Sequence, residues 1–295
     1  MILSVGEILA DMIVDVTKSE LTFQSFCGGA PFNVAVNAKQ AGGKVGFGGR
    51  VGNDLMGRFL IEKAGKADLD YLDIQVDKDK NTTLAFVNLK DGERDFSFYR
   101  HDTADYQIDF EQIDFEKYQN LGIIHVGSLM LSEEKGRAFA TRIFAEAKKR
   151  NWKISFDMNF RLDTYDSFED AKLAYKPFVE QADIIKFSED EVALYTDIED
   201  TLTAVKSLAK PNQLFVVTLG KDGSMYYYNG AYKIVPSMAV KPVDTTGAGD
   251  AFFGTLLSQL DRVAWTEETI EYAMQKANVN GAQTTQFYGA FQLKD

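Results

Sequence analysis

Short apolar runs alternate with helix-patterned segments along most of the 295 residues, and this alternation restricts the fold more than any other feature. Residues 1–5, 45–51, 123–126, 153–156, 182–186 and 214–219 are mostly apolar stretches of strand length. Between them, apolar residues recur at helical spacing over 55–64, 133–150, 188–195, 251–260 and 266–283. An earlier helix opens with Pro31 near its first position, carries Val34, Ala35, Ala38 and Ala41 on one face, and stops at Gly42-Gly43. Strands with no polar face, joined through helices, build a mostly parallel sheet covered on both sides. Ligands of such sheets bind beyond the carboxyl ends of the strands.

Two places break the alternation. Residues 82–88 and 95–100 flank Lys90-Asp91-Gly92-Glu93, a hairpin signal with Asp-Gly in the turn. Residues 12–26 read as strand and turn. Together these segments predict a small sheet apart from the main one. A second hairpin, 225–228 with 232–235, turns at Asn229-Gly230. There is no linker, repeat or low-complexity tract, so 1–295 reads as one domain, with 12–26 and 82–103 as an appended lid.

Composition matters mainly for what it excludes. The net charge is −12, which argues against nucleic acid and anionic membrane surfaces as partners. One cysteine, Cys27, allows no intrachain disulfide, and with two histidines a Cys/His metal centre does not fit. No apolar run reaches membrane-spanning length, and the chain reads as cytoplasmic.

The strongest chemical signal is Asp244-Thr245-Thr246-Gly247-Ala248-Gly249-Asp250, which runs into the apolar positions Ala251, Phe252, Phe253, Leu256, Leu257 and Leu260. Small residues then stand at a helix start, where the first N–H groups lack intrahelical partners and the dipole favours an anion. Asp250 is a carboxylate beside that anion hole. The pairing suits phosphoryl transfer: N–H groups hold the phosphoryl oxygens while a carboxylate takes the proton of an attacking hydroxyl. No Walker A string is present, so a P-loop kinase is excluded.

The same string resembles the C-terminal signature of the ribokinase-like (PfkB-type) carbohydrate kinases. Gly28-Gly29-Ala30-Pro31-Phe32-Asn33 and Gly48-Gly49-Arg50-Val51-Gly52-Asn53-Asp54 are similar to the N-terminal signature, so the resemblance covers nearly the whole chain. It implies a three-layer α/β fold with a small β lid that covers the sugar and serves relatives as a homodimer contact. It implies ATP and Mg²⁺, and in several relatives a monovalent cation such as K⁺. The segment Arg94 to Arg100 resembles the fructokinase-like branch. Fructose is therefore the first expectation, 2-keto-3-deoxygluconate the second and ribose the third. A sugar- or nucleotide-binding regulator on the same fold is the non-enzymatic alternative, disfavoured because Asp250 stands beside an intact anion hole.

Roles carried over by the resemblance fall on matching positions. Asp250 is the base, with Gly247, Ala248 and Gly249 as the anion hole. Asp11, Gly28, Gly29, Asn33, Arg100 and Arg161 bind the sugar. Arg161 lies in Asp157-Met158-Asn159-Phe160-Arg161, where many relatives have Pro in place of Met158. Arg100 and Arg161 would also suit the carboxylate of a sugar acid. Lys186, Thr218, Gly220, Gly223, Gly247, Gly249 and Asn278 serve the nucleotide. Glu191 organises Mg²⁺ through water, in a segment where Ser188 replaces the family's Asn, and Asp244 and Thr246 face the monovalent cation. Glu7 receives no role.

Overall fold

The computed structural model describes residues 1–14, 20–90, 93–118 and 120–293. Among these, nine strands form one sheet in the order β13-β12-β11-β10-β9-β8-β1-β4-β5. The strands are β1 (Ile2–Val5), β4 (Val45–Gly52), β5 (Tyr71–Asp77), β8 (Ile123–Val126), β9 (Lys153–Asp157), β10 (Ile184–Ser188), β11 (Leu214–Thr218), β12 (Ser224–Tyr228) and β13 (Ala231–Val235). All neighbours pair in parallel except at one edge, where β12 is antiparallel to both β11 and β13. Strand β1 sits between β8 and β4, so the chain builds outward from it in both directions. The crevice at its carboxyl end is the switch point at which ligands of open α/β sheets bind.

Alternation along the strands sorts the core into two layers. Leu3 and Val5 of β1, Ile185 and Phe187 of β10, and Phe215 and Val217 of β11 meet α3 (Glu134–Lys149), α4 (Phe168–Val179), α5 (Glu189–Thr196) and α6 (Thr201–Leu208). Ile2, Ile184, Leu214 and Val216 point the other way, toward α1 (Ala30–Gln40), α2 (Leu55–Gly65), α7 (Ala248–Leu260) and α8 (Glu267–Thr284). The period of two in the strands therefore yields the three layers.

A separate four-stranded sheet has the order β3-β2-β6-β7, from β2 (Leu9–Val14), β3 (Phe23–Gly28), β6 (Leu84–Lys90) and β7 (Glu93–Tyr99). Strands β2 and β6 run parallel, and the outer pairs are antiparallel hairpins. Residues 15–19 of the expected strand-and-turn segment, and 91–92 of the expected Asp-Gly turn, lie outside the described residues. Leu9, Ala85 and Phe98 of this sheet pack on Leu129 of the body, a small apolar contact distinct from the two core layers.

Three elements were not expected from sequence. β5 carries Asp73, Gln75 and Asp77 and pairs on one side only, so its apolar signal is weak. α4 contains Pro177, which reads as a breaker and is followed by only two more helical residues. α6 spans 8 residues and is capped by Asp200, whose carboxylate accepts from the Thr203 N–H. No helix among the described residues is long and apolar enough to cross a membrane.

Candidate active site

The site is built first around the start of α7. Gly247 caps it at φ 69°, and a Cβ there would overlap Ala290, so two constraints require glycine. Asp244 braces the preceding turn. Its Oδ1 accepts from Thr246 N at 2.9 Å and Thr246 Oγ1 at 2.6 Å, and its Oδ2 accepts from Gly289 N at 3.0 Å. The first helical bond is Ala251 N to Gly247 O at 2.8 Å. Among the described residues the N–H groups of Gly249 and Asp250 meet no acceptor, which leaves them available to an anion.

Asp250 accepts a hydrogen bond from Asn33 Nδ2 at 2.8 Å. Asn33 is in the first turn of α1, which begins after Gly29 (φ 106°) with Pro31 in its first turn. The two helices pack against each other and bring residues 217 positions apart into contact. Asp250 is partly exposed on the wall of a cavity. Desolvation raises its pKa, and the Asn33 hydrogen bond and the charges of Lys186 and Arg161 pull in the opposite direction.

Below α7 lie the carboxyl ends of β9 and β10. Lys186 Nζ is 2.9 Å from both oxygens of Asp157, in a buried pair formed between directly facing residues of adjacent strands. A Cβ on residue 249 would lie 3.4 Å from that ammonium, so Lys186 stands directly under the helix start. Desolvation opposes the ammonium's charge, but Asp157 and Glu191 more than offset it and leave its pKa raised. The cation and the helix N-terminus thus face the same anion-sized space. Nearby, His125 is buried with Nδ1 at 3.1 Å from Ser155 Oγ and its ring edge-on to Phe253.

The cavity beside Asp250 has a volume of about 260 Å³. Asp11, Asn33, Arg161, Gly247 and Asp250 line it, and Leu9, Ala85 and Phe98 of the small sheet form its cover. Gly28 makes room for the Asp11 carboxylate: a Cβ there would overlap Asp11 Oδ2. Glu7, the residue given no role from sequence, is also on the wall and is 2% exposed. A larger cavity of about 550 Å³ opens between α3 and α4 around Arg137, Thr164 and Asp170. It meets neither the helix start nor the strand ends, so the smaller cavity is the candidate site.

The remaining residues singled out from sequence lie around this centre in different states. Arg100 is absent from the cavity wall. It is buried, its Nε donates to Asp105 Oδ2 at 2.7 Å, its Nη1 donates to Ser132 Oγ at 2.6 Å, and it stacks on Tyr106. Glu191 accepts from Phe160 N at 2.9 Å and Ser188 N at 2.7 Å, while the Ser188 hydroxyl caps the Glu191 N–H. Ser188 therefore fills the place of the missing Asn as a helix cap within a capping box. Thr218 ends β11, and its hydroxyl donates to the Phe187 carbonyl at 3.4 Å. Gly220 (φ 58°) has open space where a side chain would be, whereas a Cβ on Gly223 would overlap the Val235 carbonyl. Asn278 is engaged internally: Nδ2 donates to Val235 O at 2.8 Å and Oδ1 accepts from Ser224 Oγ at 2.9 Å, tying α8 to the edge hairpin.

Relatives share this architecture. Residues 1–293 match the family described as pfkB family carbohydrate kinase. The chain is 37% identical over 301 residues to probable fructokinase-2 of Arabidopsis thaliana, covering 98% of this chain and 91% of that one. It superposes with a TM-score of 0.88 on the crystal structure of fructokinase from Vibrio cholerae O395 in its fructose-, ADP- and calcium-bound form, at 33% identity over 99% of this chain and 94% of that one. It superposes with a TM-score of 0.90 on fructokinase with bound ATP from Xylella fastidiosa, at 29% identity over 98% and 93% of the two chains. The chain belongs to the pfkB family of carbohydrate kinases, and its fold is ribokinase-like.

Proposed function

We propose that the protein is an ATP-dependent fructokinase, with Asp250 as the base that takes a proton from the terminal hydroxyl of fructose. The carrying observation is the Asn33–Asp250 hydrogen bond, at 2.8 Å, on a cavity roofed by the small sheet and bordered by the open N–H groups of α7. Fructose enters with its hydroxyls toward Asp11 and Asn33, which together offer acceptors and donors. The γ-phosphoryl group of ATP, with Gly220 and Gly223 on the nucleotide side, meets the start of α7. There Gly249 and Lys186 hold the charge spread over its oxygens. The names of the relatives, fructokinases bound to fructose, ADP or ATP, support the choice of sugar and nucleotide. The Arg100–Asp105 pairing favours a neutral sugar over a sugar acid, since it removes one of the two arginines that would have met a carboxylate.

Mg²⁺ fits the donor set only as a hydrated ion. Among the described residues no group of three or more His, Cys, Asp or Glu side chains could hold a metal. Glu191, whose carboxylate oxygens already accept backbone N–H groups, would meet its waters. When bound to ATP, the ion neutralises phosphate charge. The same reading gives Asp244 and Thr246 to a monovalent cation such as K⁺; assays in K⁺ against Na⁺ test it. It also makes the protein a cytoplasmic enzyme whose small sheet, with Tyr99 exposed, contacts a second copy; sedimentation gives that mass.

Two measurements test the core of this reading. Asp250→Asn keeps the shape and removes the base, so single-turnover phosphorylation falls about a hundred- to ten-thousand-fold while fructose binding by calorimetry persists. A loss below tenfold with binding intact moves the base elsewhere. In an ADP-release assay fructose exceeds ketodeoxygluconate and ribose in kcat/KM. A tenfold preference for the acid, about 1.4 kcal/mol of transition-state binding, overturns the sugar assignment.

A further inference from the structure

We propose that Glu7 is a specificity-determining residue that donates a hydrogen bond from its carboxyl group to a hydroxyl of the bound neutral sugar. The inference rests on the cavity being the sugar site, as argued above. Glu7 occupies the turn between β1, in the main sheet, and β2, in the small one, at the switch point of the sheet. It is 2% exposed and contributes to the cavity wall with Asp11, Asn33, Arg161 and Asp250. Its Oε2 has no hydrogen-bond partner among the described residues. That oxygen lies 2.8 Å from where a Cβ on Gly127 would be, so glycine at the end of β8 makes room for the carboxyl.

A buried polar oxygen without a partner is rare, because leaving it unsatisfied forfeits its desolvation free energy. A ligand hydroxyl supplies the missing partner. The direction of the bond follows from the neighbourhood. Burial pushes the Glu7 carboxyl up to about 8, its own backbone N–H opposes this, Asp105 raises it further, Arg100 lowers it and Asp250 raises it. Those charged groups come from the segment after β7 and from α7, while Pro31 of α1 and Gly127 beside the carboxyl cannot titrate. At neutral pH Glu7 is therefore protonated and offers an O–H. Asp11, Asp250 and the Asn33 Oδ1, which has no partner among the described residues, accept, Glu7 donates, and this mixture matches a polyol.

The test compares steady-state kinetics and calorimetric fructose binding for the wild type, Glu7→Gln and Glu7→Leu from pH 6 to 9, with thermal melting as the check on folding. Glu7→Leu raises the fructose KM roughly ten- to a hundredfold with a much smaller change in kcat, as expected for a lost ligand hydrogen bond. Wild-type KM climbs above pH 8 as the donor ionises. Glu7→Gln, which keeps a donor and cannot titrate, shows no such climb. A folded Glu7→Leu with KM within twofold of the wild type overturns the proposal, and so does an alkaline climb retained in Glu7→Gln. If Glu7→Leu does not fold, the comparison of wild type with Glu7→Gln decides. Wild type that binds fructose with this pH dependence but does not phosphorylate it refutes the kinase reading alone, and wild type that binds no neutral sugar overturns both.

Discussion

His125 illustrates how a single buried residue makes stability depend on pH on the acid side. Burial, with the nearby Lys186 charge, lowers its pKa to about 3. The unfolded chain binds this proton near 6.5 and the folded chain only near 3, so folding stability rises with pH across that window and is lost as pH falls through it. Each pH unit in the window corresponds to at most about 1.4 kcal/mol. Glu7 acts with the opposite sign. Its folded pKa is raised to about 8, so its contribution is present below about 4.5 and is lost as pH rises toward 8. The difference between variants isolates each group: urea unfolding of wild type between pH 6.5 and 5 should lose more stability than that of His125→Gln, by about 1–2 kcal/mol. Equal slopes would mean that His125 is charged or hydrated in the folded state. At this scale the site was only partly readable from sequence. Asp250 and its glycines announce themselves by a dense string, and Asn33 by its place after Gly28-Gly29. Glu7 does not, because an isolated acid beside a strand looks like a solvated one. What could have revealed Glu7 is position: it directly follows a buried strand and Gly6, where ligands of such sheets gather.

Helices α1 and α7, with α8 packed on α7, fix the distance between Asn33 and Asp250. Gly254 in mid-α7 faces α1, and a Cβ there would overlap the Val34 carbonyl oxygen and lie 2.9 Å from Ala38 N. Gly→Ala in a helix interior ordinarily stabilises by about 1 kcal/mol. Here overpacking reverses the sign, and Gly254→Ala should destabilise by about 1–3 kcal/mol. Because α1 carries Asn33 and α7 carries Asp250, kcat should fall as well. A urea midpoint at or above wild type would show that the helices separate freely. Element-level reading from sequence succeeded where burial is one-sided or complete, as in β8, α3 and the β12–β13 hairpin. It missed β5, α4 and α6 because an edge position, a late proline and a helix of 8 residues each weaken periodicity without preventing the element. Asn278 is a related case: its amide ties α8 to the edge hairpin, a tertiary use that no local spacing signals.

Across the molecule, the two sheets meet at the cavity, and the chain crosses between them after β1, β3, β5 and β7. We expect a cover joined at several points to close as a unit and exclude water that would compete for the phosphoryl group. Hydrogen exchange of the amides of residues 84–87 should slow when fructose and a non-hydrolysable ATP analogue bind together, while β11 stays unchanged. Unaltered exchange in the small sheet would argue for a rigid cover. The separate sheet itself was legible from the Asp-Gly hairpin that interrupts the strand–helix rhythm; its pairing order was not, because parallel contact between β2 and β6 depends on residues about 75 positions apart. The Asn33–Asp250 contact carries a similar consequence for biosynthesis. A ribosome delivers Asn33 early and Asp250 only after α7 emerges. Until then α1 lacks the helix that covers it. A chain that stops before α7 would leave the apolar face of α1 uncovered, so its amino-terminal half should not close its core.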